Sequence, residues 1–411
     1  MLPKIKPFPR TIYLDHAATT PVDSGVIKAM QPFWCKYFGN PASLYKFGRE
    51  ADVAIEKARN TVASILKCRV GEIVFTAGAT ESINLALFGI ARNYKPNAKN
   101  KYHIITSQIE HHAVLESLKQ LEKEGFEVTY LPVNSFGFVS SRDLAKAIKP
   151  ATILVSIMYA NNEIGTIEPI AQLSKIIHKT NRARKASQPK IVFHTDACQA
   201  AGYLDINVQK LGVDLLTLNG SKIYGPKQTG ILYCKHATEL KPFIFGGGQE
   251  KGLRSGTENV PGIVGLAEAL KLVQKNKNKE NARLKKLRDY FIIQVSKKIP
   301  HTNLHGPDER SLYTMHKEIR LPNNINISFS GVDGEALMLY LDSYNIAVST
   351  GSACASATTD PSHVILAIGK SPEIAKASIR FTLGQSTTKQ KLDYVLNVLP
   401  GIVAELRRVQ S

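Results

Sequence analysis

The sequence predicts an α/β protein in two parts: a large domain with a mainly parallel sheet and a smaller C-terminal α/β domain. Three observations predict it. Short β-branched runs alternate with helical patterns through the first two thirds, as in successive βαβ units. The runs are apolar throughout, as strands covered on both faces must be. After about Pro261 the alternation gives way to a long charged helical stretch, and a second set of strand and helix patterns follows. At 411 residues the chain is too long for one small core, which agrees with a two-part molecule.

Taken in order, residues 1–10 are basic, hold three prolines and lack the apolar centre of a signal peptide, so they read as an extended lead-in. Glu72–Phe75 (EIVF) reads as a strand and runs through Thr76–Thr80 into a helix at ESINLALFGIA. His103–Ser107 (HIITS) reads as a strand before a helix through HHAVLESLKQLEKEG. TILVSIMY, IVFHTD, DLLTLN and GILYC follow as further strands. The basic run Lys271–Arg288 reads as the solvated face of a long helix, with a docking surface for an acidic partner as the second reading. Beyond it come the strand INISFS, a helix at GEALMLYLDSY, the strand IAVST, the strand IRFTLG and a terminal helix. No internal repeat is visible, which sets aside solenoids and propellers.

Composition narrows the function classes. With 43% hydrophobic residues and a single Trp, the chain is an ordinary globular one. No stretch approaches the roughly 18 apolar residues of a membrane helix, so the expected location is the cytoplasm and no membrane partner is expected. Five widely spaced cysteines without a CxxC pair argue against a disulfide framework or a zinc site. The formal charge of +19 would attract acidic proteins, nucleic acid or small anions. A nucleic-acid-binding role rests on that charge alone, because no recognition motif or stacking platform accompanies it.

Three features carry chemistry, each at the end of a predicted strand, where α/β sheets place ligands. Gly78-Ala79-Thr80 is a small-residue turn whose backbone N–H groups and helix N-terminus suit a phosphate, although many strand-to-helix turns contain glycine for purely structural reasons. Asp196, closing FHTD, is either an N-cap or a charge partner. Lys222 follows DLLTLN and precedes the Gly225-Pro226 turn. Shielding there would lower its pKa from roughly 10.4 toward the catalytic range, whereas a solvated loop lysine would keep it. Together a phosphate turn, an acid and a lysine on successive strand ends are the contacts a pyridoxal 5'-phosphate (PLP) ring requires.

At this point the motifs resemble a known family. YLDHAATTPV, FTAGATESINLA, EHHAVLES, YANNEIGTIEP, FHTDACQAAG, SKIYGPKQTG, GGGQEKGLRSGTENV, STGSACAS and IRFTLG stand in the order seen in cysteine desulfurases of the iron-sulfur-cluster type, which are class V aminotransferase-like PLP enzymes. The resemblance implies a PLP-dependent transferase fold of the aspartate aminotransferase kind. Residues 16–262 would form the large PLP-binding domain, and residues 1–15 with 263–411 the small domain that carries the cysteine segment. It implies that Lys222 binds the cofactor covalently, that Asp196 pairs with the pyridine nitrogen, and that His111 stacks on the ring and moves protons. Ala79 and Thr80 would bind phosphate, Gln199 and Asn162 would contact the ring hydroxyl and its surroundings, and Arg380 would hold the substrate carboxylate. Thr257 would be a phosphate ligand given to the other subunit of an obligate homodimer.

Cys354, within Thr350–Thr358, would accept the sulfur of L-cysteine and pass it to an iron-sulfur scaffold or a tRNA-thiolation relay. That stretch has no large apolar residue to anchor it, so the sequence reading expects a mobile loop. An Asp–pyridinium pair about 4 Å apart at an effective dielectric near 20 is worth up to roughly 4 kcal/mol. That is enough to keep the ring nitrogen protonated at neutral pH.

The chain departs from the family before the lysine, where Asn219, Gly220 and Ser221 replace Ser or Thr, a small residue, and His. Asn219 or Ser221 could supply the missing donor to the phosphate. Cys198 stands where Thr is commoner, either as an inert small side chain or as a second redox-sensitive thiol. An aminotransferase or a selenocysteine lyase on the same scaffold is the alternative enzyme. The former has no use for a mobile thiol, and the latter should act far less on cysteine.

Overall fold

The computed structural model describes residues 5–97, 101–308, 318–350 and 360–410. Its centre is a seven-stranded sheet in the order β2-β8-β7-β6-β5-β3-β4. The strands are β2 (Ile73–Thr76), β3 (His103–Ser107), β4 (Glu127–Leu131), β5 (Thr152–Ser156), β6 (Val192–Asp196), β7 (Leu215–Asn219) and β8 (Gly230–Cys234). All neighbours run parallel except β8, which is antiparallel to both β2 and β7. The apolar runs read from the sequence are these strands, and β2, β3, β5 and β8 are buried along their whole length. Strand β4 escaped the sequence reading. It lies at the sheet edge, and its first residue, Glu127, is exposed.

Two smaller sheets complete the molecule. Strands β9 (Thr302–Leu304), β10 (Asn324–Phe329) and β12 (Ser378–Thr382) form an antiparallel sheet with β10 in the middle. Strands β1 (Ile12–Tyr13) and β11 (Ile346–Ala347) pair in parallel. Of the expected strand IAVST only Ile346–Ala347 pairs as a strand, although Ser349 makes an isolated bridge to Arg380.

The helix Val260–Lys298 runs from the large sheet to the antiparallel one and packs against the helix Lys46–Leu66. Most of its basic run is solvated as expected, but Arg288 is buried. It shares a stripe with Leu284, Phe291 and Val295, donates to the Leu321 carbonyl at 3.0 Å and pairs with Asp289 at 2.9 Å. Position on the core side of the helix, four residues from Leu284, overrides the run of charge around it.

Packing between strand ends is tight where the site forms. Gly78, with φ of 149°, caps the helix Ala79–Ala91. A Cβ added at Gly230 would come within 2.6 Å of the Gly78 carbonyl carbon, so this approach requires glycine. A buried ion pair ties the helix Lys46–Leu66 to the segment that carries Thr257. Arg59 donates to both Glu250 carboxylate oxygens at 2.8 Å, and Glu250 also accepts from the Phe75 N–H at 2.9 Å. Burial alone would lower the Arg59 pKa, but the hydrogen bond and charge of Glu250 outweigh it and hold the guanidinium above its ordinary value.

Candidate active site

The carboxyl ends of β2, β3, β5, β6 and β7 surround a cavity of about 230 Å³. That is just below the roughly 300–1,000 Å³ of drug-sized pockets, so it suits one small ring-sized ligand. Of the residues read from the sequence, Ala79, Thr80, His111, Asn162, Asp196, Gln199, Asn219, Lys222 and Arg380 line it. Ser221 lies one residue from its wall, Thr257 is exposed and stands apart from it, and Cys354 lies outside the described residues.

Lys222 closes a short 3-10 turn, Gly220–Lys222, at the end of β7. The turn is locked by the Gly225 N–H donating to Gly220 and by Thr20, whose N–H and hydroxyl both donate to the Ser221 carbonyl. The lysine Nζ donates to the Ala18 carbonyl at 2.6 Å. Asp196 is buried at the end of β6, and its Oδ1 accepts from the Cys198 N–H at 2.9 Å. The carboxylate therefore acts locally as a turn former and also faces the cavity.

His111 caps the helix His112–Lys123 through its ring: Nδ1 accepts from the Ala113 N–H at 3.0 Å. A nitrogen that accepts is unprotonated, so the neutral ring carries its proton on Nε2. Burial lowers the His111 pKa. Asp196 opposes this, while Lys222, His112 and His363 add to it. The ring is thus held neutral with a donor at Nε2.

The phosphate end is built from backbone. The first hydrogen bond of the helix Ala79–Ala91 runs from the Ser82 N–H to the Gly78 carbonyl, which leaves the preceding helix N–H groups for a ligand. An added Cβ on Gly78 would meet nothing within 4 Å, so the space beside the helix start is open. Asn219 lines the cavity, and its Oδ1 accepts from both the N–H and the hydroxyl of Ser221 at 3.1 Å. The Ser221 hydroxyl is thereby engaged, and the Asn219 amide NH2 is the group that can donate to an anion.

Arg380, on β12, is 2% exposed. Its Nη2 donates to Asp15 at 2.8 Å and its Nη1 to the Asn162 carbonyl at 3.3 Å, while its buried Nε has no partner among the described residues. Such a guanidinium keeps donor capacity for a carboxylate.

Sequence reading quoted the segment Asp15–Thr20 within the motif YLDHAATTPV but gave it no role in the site. Its carbonyls receive Gln199 Nε2 (at Ala17, 3.0 Å) and Lys222 Nζ (at Ala18), its Asp15 pairs with Arg380, and its Thr20 hydroxyl accepts from the Tyr224 N–H at 2.7 Å. Cys198 also lines the cavity, but burial first and the Asp196 charge second push its thiol pKa well above the ordinary range. That environment makes it a poor nucleophile. Cys234 is likewise buried, with its thiol pushed up to about 12.

Taken together, the residues fit PLP. The free helix start beside Gly78 would hold a phosphate, the buried Asp196 would pair with a ring nitrogen, the neutral His111 imidazole would stack on the ring, and Lys222 at the end of β7 would carry the cofactor.

Comparison with known proteins agrees. The family model described as Aminotransferase class-V matches residues 12–395. Cysteine desulfurase IscS of Dictyoglomus turgidum is 50% identical over 400 residues, covering 97% of this chain and 96% of its own. Cysteine desulfurase IscS 1 of Archaeoglobus fulgidus is 44% identical over 395 residues, covering 96% of this chain and 97% of its own. A solved NifS-like protein superposes with a TM-score of 0.87 at 38% identity, over 96% of this chain and 100% of that one. A structure described as SspA in complex with cysteine superposes at 0.77 with 35% identity, over 90% of this chain and 98% of that one. Strand ends, cavity and comparisons therefore meet in one conclusion: the chain belongs to the class-V aminotransferase family and, within it, to the cysteine desulfurases.

Proposed function

We propose that this protein is a PLP-dependent cysteine desulfurase: L-cysteine gives up its sulfur to Cys354 as a persulfide and leaves as L-alanine. The observation that carries the reading is the convergence of Lys222, Asp196, His111, Arg380 and a free helix N-terminus on one small cavity. PLP, when bound, supplies an electron-withdrawing ring that accepts the charge left when the substrate Cα loses its proton. The protein supplies the rest. The helix start at Ala79 and Thr80 and the Asn219 amide hold the phosphate, and Asp196 holds a proton on the ring nitrogen. The Lys222 amine would hold the cofactor and would serve as the base that takes the Cα proton. His111 presents its Nε2–H to the cavity as a hydrogen-bond donor, and Arg380 orients the substrate carboxylate. Asn162 supports that arginine through its carbonyl, and Gln199, fixed on Ala17, would contact the ring hydroxyl.

We further propose a homodimer in which Thr257 completes the partner's phosphate site, since Thr257 is exposed and stands apart from its own cavity. A patch of exposed Trp34, Phe38, Leu44, Tyr45 and Phe47 supports an interface, with Leu44 89% and Trp34 62% exposed. In this reading residues 16–262 are the large domain and 1–15 with 263–411 the small one. The enzyme works in the cytoplasm and hands sulfur to an iron-sulfur scaffold or a tRNA-thiolation relay. No helix among the described residues is long and apolar enough to cross a membrane.

The test is an assay of purified protein with PLP and L-cysteine under a thiol reductant. Alanine and sulfide should appear in equal amounts, and Lys222→Ala should lose both this turnover and the visible absorbance of bound cofactor. A wild-type protein that binds PLP yet makes no alanine would overturn the reading.

A further inference from the structure

Arg380 reaches the cavity with one carboxylate already in place. Asp15 Oδ1 sits 2.8 Å from Nη2, in a pair whose side chains are 3% (Arg380) and 17% (Asp15) exposed. The Asp15 backbone leaves that carboxylate little freedom. The Ala18 N–H donates to the Asp15 carbonyl, Asp15 bridges Thr382 two residues beyond the arginine, and the Ala17 N–H donates to the Thr382 hydroxyl at 2.9 Å. The grip is monodentate. Nη1 has only a long contact to the Asn162 carbonyl and Nε has no partner among the described residues, so the guanidinium can accept a second carboxylate without releasing the first.

We infer that Asp15 is a built-in competitor at Arg380, a specificity-setting residue that keeps the affinity for α-carboxylate ligands low so that substrate and product exchange. The inference rests on the proposed role of Arg380 as the substrate-carboxylate site. Two carboxylates sharing one guanidinium lie roughly 5–6 Å apart. In surroundings of effective dielectric near 20 their repulsion is enough to change an affinity on the order of 10-fold or more. Substrate and product both carry the α-carboxylate, so the effect falls on both: cysteine binds less tightly than a lone buried arginine would allow, and alanine leaves sooner. Asp15 also fixes the Nη2 edge, which points the remaining donors in one direction before substrate arrives.

The sign of the effect separates this role from a structural one. Asp15→Asn keeps an acceptor of the same shape at Nη2 and removes the charge. Calorimetry on the holoenzyme with 3-mercaptopropionate, which has the carboxylate and thiol but no amine, should then show binding about 10-fold tighter than wild type. Inhibition by L-alanine should strengthen in parallel. In an Arg380→Gln background the Asp15 substitution should have no effect on 3-mercaptopropionate binding. Equal or weaker binding of 3-mercaptopropionate in Asp15→Asn overturns the inference and leaves Asp15 as an ordinary ion-pair partner. Should Asp15→Asn fail to fold, Asp15→Ser is judged by the same sign. Wild-type protein that does not bind 3-mercaptopropionate removes the Arg380 assignment itself.

Discussion

At His111 a single backbone hydrogen bond decides what the side chain can do. Because the Ala113 N–H occupies Nδ1, the proton of the neutral ring belongs to Nε2, and burial keeps the ring neutral below the usual histidine range. The preceding residue shows the opposite case. Glu110 is fully buried, its Oε1 accepts from Ser107 Oγ at 2.7 Å and the Met158 N–H at 2.9 Å, and its Oε2 has no partner among the described residues. Burial raises its pKa to about 8 from 4.5, so in the folded protein it is an acid that keeps its proton at neutral pH.

A folded pKa above the unfolded one means that stability from this group is full below about pH 4.5 and is lost as pH rises toward about 8. Burial raises Glu168 to about 8 and Glu163 to about 7, which adds to the same trend. Glu110→Gln mimics the protonated form, so its stability relative to wild type should rise between pH 5 and 8 by on the order of 2 kcal/mol in urea titrations. A difference that does not change with pH would show that Glu110 is ionised in the fold.

At the scale of elements, the strand ends were legible because parallel strands buried on both faces must be continuous apolar runs, and ligands gather where such strands stop. That logic gave β2, β3, β5, β6, β7 and β8, and with them Asp196 and Lys222. It could not give the segment Asp15–Thr20. Two of that segment's contacts with the site are made by the carbonyls of Ala17 and Ala18, groups that every residue carries, and they reach side chains nearly two hundred positions away. Nor could charge patterning reveal Arg288, whose burial follows from helix phase, or the engagement of Ser221 by its neighbour Asn219.

The pair Arg59–Glu250 was equally hidden, because its partners are 191 residues apart. It fastens the segment before Thr257 to β2. Arg59→Met leaves the Glu250 carboxylate buried and uncompensated, at a cost of about 3–5 kcal/mol. Thermal unfolding should show that loss, and Arg59→Met with Glu250→Gln should recover part of it. If the single and double variants are equally unstable, the charge of Glu250 is not the cause.

For the whole molecule, the proposed homodimer would cover the exposed patch around residues 34–47 and use the exposed Thr257. Trp34→Glu should shift the protein to monomer in analytical ultracentrifugation and lower PLP retention together. Thr257→Ala should lower PLP retention while the dimer persists. A monomer that holds a full complement of cofactor would contradict the shared site.

The central claim is that sulfur leaves L-cysteine for one particular thiol. Of the five cysteines, Cys198 and Cys234 are buried and burial pushes their thiols and that of Cys68 up, while Cys35 is exposed; the proposed reading assigns the chemistry to Cys354. Peptide mass spectrometry of the wild-type holoenzyme, taken after L-cysteine is added without reductant, tests this directly. The account predicts an added sulfur atom on the peptide containing Cys354 and none on those containing Cys198 or Cys234. Alanine formed in step with sulfur on any other cysteine, or with Cys354 unmodified, would contradict it.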